Sequence, residues 1–210
     1  GGGAIYAEGG SDVTIDDSVF TDNLGKNGGS IALLGGVLSI STTTINSGKA
    51  SAGAAIYAES ASLTTVASIF DFNSASSGGA FYLDDVVWTD TNSSFDTNKA
   101  NGDGGAVYTT AARALVLKRS VFTNNSTVLG DGGALFVDAP LTDITIQDAS
   151  FTDNVAFDRG GAIVFSSAQG VPIVRSVFTD TFTPFSSGRA IPCDPATAPP
   201  PAPRTAPPPS

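Results

Sequence analysis

The chain has 210 residues, with 20 Asp and Glu against 10 Lys and Arg, a formal net charge of −10, no His, no Met and one Cys. A net-negative chain with scattered cations lacks the electrostatic footprint for nucleic acid or an anionic membrane, and no apolar run is long enough to span a bilayer. Without His there is no Ser–His–Asp triad, imidazole shuttle or His-based metal site, and one Cys makes neither an internal disulfide nor a thiolate cluster.

The chain opens Gly1-Gly2-Gly3-Ala4, with no start residue, and reads as a mature product or a piece of a larger chain. Its first element, Gly2-Gly3-Ala4-Ile5-Tyr6, then returns down the sequence. It recurs as Gly28-Gly29-Ser30-Ile31, Gly53-Ala54-Ala55-Ile56-Tyr57, Gly78-Gly79-Ala80-Phe81-Tyr82 and Gly104-Gly105-Ala106-Val107-Tyr108. Gly132-Gly133-Ala134-Leu135-Phe136 and Gly160-Gly161-Ala162-Ile163-Val164 follow, and a worn copy, Gly188-Arg189-Ala190-Ile191, ends the series. The Ala position recurs at intervals of 25 to 28 residues.

Inside each period an apolar position comes next: Val13, Leu38, Leu63, Trp88, Leu115, Ile144 and Val171. A small residue follows five positions later (Ser18, Thr43, Ser68, Ser93, Ser120, Ala149, Ser176). Then comes Phe-x-x-Asn, as Phe20/Asn23, Phe70/Asn73, Phe95/Asn98, Phe122/Asn125 and Phe151/Asn154, with degenerate copies at Ile45–Gly48 and Phe178–Thr181. Short two-residue alternation broken by Gly, Asn, Asp and Ser predicts three short strands per period. Such a period is one coil of a parallel β-helix, and seven coils at ~4.8 Å make a rod of about 34 Å.

Alternation also predicts direction. The polar column Glu8, Leu34, Glu59, Asp84, Thr110, Asp138 and Ser166 faces water, so the Tyr6 column faces out and the Ile5 column in. All four tyrosines (Tyr6, Tyr57, Tyr82 and Tyr108) share that outward column, which Phe136 continues. They form a candidate aromatic binding stripe. Asn23, Asn73, Asn98, Asn125 and Asn154 are expected to form a buried amide ladder, each bonding the backbone of its own turn and the Asn of the next coil.

The pairing of Gly-Gly-Ala-[Ile/Leu/Val] with Phe-x-x-Asn, in register over seven periods, resembles the repeats of chlamydial polymorphic outer-membrane proteins and the passenger regions of autotransporters. The resemblance covers residues 2 to about 191. It implies an all-β fold: a right-handed, single-stranded parallel β-helix displayed outside the cell, often as an adhesin. The membrane barrel of autotransporters has no counterpart here. The expected layout is a repeat domain over 1–193 and a Pro-rich tail over 194–210.

The tail, with Pro199, Pro200, Pro201, Pro203, Pro207, Pro208 and Pro209, predicts an extended polyproline II segment. It reads as a linker or stalk, or as a segment docked in an aromatic groove such as the Tyr column of a neighbouring subunit. It loosely resembles algal and plant hydroxyproline-rich glycoproteins, which implies hydroxylated, O-glycosylated prolines. Cys193 is either inert or half of an intermolecular bridge. The sequons at Asn92 and Asn124 are candidate N-glycosylation sites, whereas Asn125 belongs to the buried ladder.

Chemistry is sparse. Arg119, Asp148 and Arg175, beside Lys118, read as a stacked surface salt ladder rather than a catalytic cluster. The consecutive pairs Asp16-Asp17 and Asp84-Asp85 read as solvated face or turn. Asp103 and Asp131 read as turn residues, with a structural Ca²⁺ as the minor alternative. No cofactor and no catalytic residue are expected. The favoured function is a non-enzymatic extracellular structural subunit that associates head to tail with copies of itself into a fibre, its tail contacting a neighbour. The alternatives are a surface adhesin binding glycans or extracellular polysaccharide through the Tyr column, and a polysaccharide lyase or hydrolase of the pectate-lyase-like class.

Overall fold

The computed structural model describes residues 1–138, 143–168 and 170–184. The Gly188–Ile191 motif, Cys193 and the prolines of the tail lie outside the described residues. Those described form a solenoid of short strands and turns, and every strand pair among them is parallel. The coils span 2–27, 28–52, 53–77, 78–103, 104–131, 132–159 and 160–184, here coils 1 to 7.

Three sheets run along the rod. A 12-stranded sheet carries both the Ile5 and the Val13 columns, a seven-stranded sheet carries the Phe column, and a three-stranded sheet carries the segments after Asn73, Asn98 and Asn125. In coils 2 and 3 the first two segments fuse into single bent strands, Ile31–Ser41 and Ile56–Val66. Register follows the sequence columns: Phe20 pairs with Ile45, Ile45 with Phe70, Phe70 with Phe95, and so on to Phe178.

Like side chains therefore stack. The rings of Phe95 and Phe122 lie 4.6 Å apart at 6°, and those of Phe122, Phe151 and Phe178 follow at 4.9 Å. Phe81 meets Phe70 edge-on at 4.6 Å and Trp88 at 5.4 Å, closing the centre of the core. Each buried Phe contributes about 1.5–3 kcal/mol by burial, and each ring pair roughly 0.5–1.5 kcal/mol more.

The corners explain the polar columns. In coils 2 and 3 the small-residue hydroxyl donates to the carbonyl two residues earlier, Thr43 to Ser41 and Ser68 to Val66. The same oxygens accept a backbone N–H from the preceding coil, from Ser18 and Thr43 respectively. The residue inside that curl is left-handed in every coil: Asp17, Thr42, Ala67, Asn92, Arg119, Asp148 and Arg175, with φ from 46° to 60°. A second left-handed column, from Asp22 to Asp180, sits two residues after each Phe or Ile. The first Gly of the Gly-Gly-Ala motif supplies a third in coils 2 to 7, where a Cβ on Gly78 would meet the Phe81 carbonyl oxygen at 1.9 Å. Thr42, Ala67, Arg119 and Arg175 are not turn-type residues, and composition does not mark them as corners. The non-Gly occupants, each strained by about 1–2 kcal/mol, are held by the rungs on either side.

The Asn amides differ in detail from expectation. Asn98 donates to the Phe70 carbonyl at 2.8 Å and to Asn125 Oδ1 at 3.0 Å, while its own Oδ1 accepts the backbone and side-chain N–H of Asn73. Asn125 and Asn154 repeat the pattern on Phe95 and Phe122. The carbonyl each amide reaches thus belongs to the preceding coil, not to its own turn, because a side chain perpendicular to the strand spans rungs more readily than it curls back. Asn23 stands outside this ladder. The next coil offers Gly48, which has no side-chain oxygen to accept from it, and Asn23 donates instead to Ser30.

Candidate functional site

The outer face of the 12-stranded sheet gathers the most chemistry. Register aligns Tyr6, Ala32, Tyr57, Tyr82, Tyr108, Phe136 and Val164 in one row. Two residues on, and so on the same face, Glu8, Leu34, Glu59, Asp84, Thr110 and Asp138 form the second row. Neither row contains Lys or Arg. Tyr6 is half-exposed, Tyr57, Tyr82 and Tyr108 are partly exposed, and Phe136 is buried.

The rings are spaced by the rungs beneath them. Tyr57 and Tyr82 lie 5.4 Å apart at 13°, Tyr82 and Tyr108 5.1 Å at 24°, and Tyr108 and Phe136 5.5 Å at 3°. Near-parallel rings one rung apart turn their faces to each other along the rod and present edges and hydroxyls outward. A sugar ring has no free aromatic face to lie on within this stack. What the stack offers is three phenol oxygens over about 10 Å, beside a row of carboxylates.

The two rows are coupled. Tyr6 Oη donates to Glu8 Oε2 at 2.6 Å, and Tyr57 Oη to Glu59 Oε2 at 3.0 Å. Burial first, then the hydrogen bond to Glu59, pushes the Tyr57 phenol up to about 12. Burial, then Tyr82 and the neighbouring carboxylates, pushes Tyr108 up to about 12 as well. Burial and the adjacent Glu59 raise Asp84 above the usual carboxylate range. The strip is a row of neutral phenols beside a row of negative or reluctantly charged oxygens. It suits hydrogen-bond donors and cations.

A second polar group lies inside the rod. Asp90 is fully buried and interrupts a core column that otherwise reads Ile15, Ile40, Thr65, Leu117, Ile146 and Ile173. The buried Trp88 indole donates to Thr65 Oγ1 at 3.1 Å, and Thr65 Oγ1 donates to Asp90 Oδ1 at 2.5 Å. Ser120 donates to Asp90 Oδ2 at 2.5 Å. Burial raises the Asp90 carboxyl, partly offset by the hydrogen bonds from Ser120, Ser93 and Thr65. This network gives the one Trp of the core an acceptor path and is structural. Sequence reading missed Asp90. Its signal was a single carboxylate in an apolar column two residues after the Val13 column.

The charged surface groups are dispersed. Arg175 grips Asp148 bidentately at 2.6 and 2.9 Å and holds its carboxyl below the usual range, whereas Arg119 turns to Asn92 Oδ1 at 2.6 Å. Asp131 pairs with Arg159, and Asp103 accepts the Asp131 backbone N–H. Asp85 pairs with Arg113 at 3.1 Å, away from its neighbour Asp84. Asn92 and Asn124 are exposed on left-handed corners, and Asn125 is buried. Among the described residues no three His, Cys, Asp or Glu side chains gather as a metal site, and no helix is long and apolar enough to cross a membrane.

A family model described as "Right handed beta helix region" matches residues 1–183. No curated protein and no solved structure matches the chain.

Proposed function

Because the chain belongs to the right-handed β-helix family, whose fold serves enzymes and non-enzymes alike, we propose that it acts as a non-catalytic structural rod that extends by stacking on copies of itself outside the cell. The observation that carries this reading is how the core ends within the described residues. In coil 7 the core-lining Ile173 and Phe178 are exposed by 43% and 44%, and Val171 is only partly buried, although the column-mates Ile146 and Phe151 are fully buried. Each internal rung interface buries these columns against the next coil, and a second molecule continuing the stack would bury them the same way. The exposed Asn92 and Asn124 sequons agree with an extracellular site. A tail contact between neighbours would add avidity to such a stack.

Negative-stain electron microscopy of the purified chain tests the reading, alongside sedimentation over a range of concentrations. Filaments that Phe178→Asp abolishes support it. A monomer at every concentration overturns it.

The Tyr and carboxylate strip favours a second reading, that of an adhesin-like surface binding polyhydroxylated or cationic polymers through its edge oxygens. A glycan or polyamine that binds the wild type and is lost with Glu59→Gln and Asp84→Asn together would establish it. The flat setting of the carboxylates disfavours a polysaccharide-cleaving enzyme. Glu59 lies within the bent strand Ile56–Val66, and only Asp85 and Val86 separate Asp84 from the next strand, so neither carboxylate is followed by a loop that would wall off water.

A further inference from the structure

We infer that Tyr57, Tyr82 and Tyr108 are a site of oxidative cross-linking, where a haem peroxidase with hydrogen peroxide joins tyrosines of adjacent coils as dityrosine. Three observations combine. The three phenols are stacked one rung apart, at 5.4 and 5.1 Å between centroids, so two radicals generated in the stack are already neighbours. All three are partly exposed, within reach of a small oxidant. Tyr57 donates its phenolic hydrogen to Glu59 Oε2 at 3.0 Å, so a base is in place for the proton that must leave with the electron.

The chemistry balances. Each of two tyrosines loses one electron and its phenolic proton, the proton of Tyr57 passing to Glu59. The two phenoxyl radicals then form one carbon–carbon bond between the ring positions ortho to the oxygens. The hydrogen on each of those carbons moves to the phenolic oxygen and restores the aromatic ring. Peroxide takes up the two electrons and two protons and leaves as two waters.

The stack sets its own limits. Ala32 separates Tyr6 from Tyr57 by a rung, and Phe136 ends the row without a phenol. Internal links therefore join Tyr82 to Tyr57 or to Tyr108, while Tyr6 is left to link one chain to another.

The test treats the full-length folded chain, at high dilution, with peroxidase and one equivalent of hydrogen peroxide. Expected is a monomeric product two hydrogen atoms lighter, with the blue fluorescence of dityrosine and cross-linked peptides joining Tyr82 to Tyr57 or Tyr108. Held in contact, the pair should exceed the yield from the urea-unfolded chain by about tenfold or more. Tyr82→Phe keeps the ring stack but should remove the internal link, because Tyr57 and Tyr108 are two rungs apart. Glu59→Gln should slow the Tyr57 link and spare the Tyr82–Tyr108 link. Equal yields from folded and unfolded chains would overturn the inference. So would links that run mainly between chains at dilution, or internal cross-linking that survives in a Tyr82→Phe variant with the wild-type circular dichroism spectrum.

Discussion

Replacing Asn98 with Ala removes a side chain that is fully buried and joins three coils. Its Oδ1 is the acceptor for the Asn73 backbone N–H and for one Asn73 side-chain N–H, both at 3.1 Å. Both donors are buried, and the shortened side chain leaves no acceptor in their place. A buried donor left unpaired costs about 1–3 kcal/mol, so the pair costs roughly 2–6 kcal/mol, and the lost bonds to Phe70 and Asn125 add to this. We therefore expect about 4 kcal/mol of destabilisation. Asn23→Ala is the control, since Asn23 is part-exposed and makes one 3.3 Å bond to Ser30, with an expected loss of about 1 kcal/mol or less. Urea unfolding followed by far-ultraviolet circular dichroism and by the fluorescence of Trp88 measures both. If Asn98→Ala and Asn23→Ala lose the same stability, the amide ladder is not what ties the coils together.

Other expectations concern the corners and the titrating groups. Thr42→Gly, at an exposed β-branched residue with φ 49°, should raise stability by about 0.5–1 kcal/mol, whereas Gly78→Ala should lower it by more than that; thermal melts of both variants decide. The folded carboxyl of Asp90 titrates above its ordinary value of 3.8, so the native state holds its proton more tightly than the unfolded state. That contribution is fully present below the ordinary value and is lost as pH rises through the folded value, so Asp90→Asn should gain on the wild type between acid and neutral pH. Parallel stability–pH profiles of the two proteins would refute this. In an ultraviolet titration Tyr57 and Tyr108 should ionise only at about 12, and Glu59→Gln should bring Tyr57 down while leaving Tyr108 in place.

Columns of repeated type were legible because each rung imposes the same environment on the same position. The Phe register, the inward Ile5 column and the outward tyrosines all follow from a two-residue period counted between Gly-Gly-Ala motifs. Ring orientation was not legible, because alternation states which way Tyr82 points but not that a neighbouring ring one rung away takes its face. The left-handed corners stayed hidden for a different reason. Asp17, Thr42, Ala67, Asn92 and Arg119 share no side-chain chemistry, and even Asp148, followed by Ala149 and not by a hydroxyl, takes the same conformation, which the stacked coils impose. Asp90 escaped because its partners Thr65 and Ser120 lie 25 and 30 residues away and meet it only inside the stack.

Coil 2 carries the substitution in each of the three side-chain ladders: Ala32 stands among the tyrosines, Ile45 among the phenylalanines and Gly48 among the asparagines. The amide relay reaches coil 2 from Asn73 but stops there, so between coils 1 and 2 the backbone bonds and the Ser41–Asp16 bond cross without ring contact or amide relay. The rod thus has a cleavage plane near one end, as a crystal does along its weakest layer. Amides of the first coil should exchange with solvent well before those of coils 3 to 6, and strain applied along the axis should part the molecule there first.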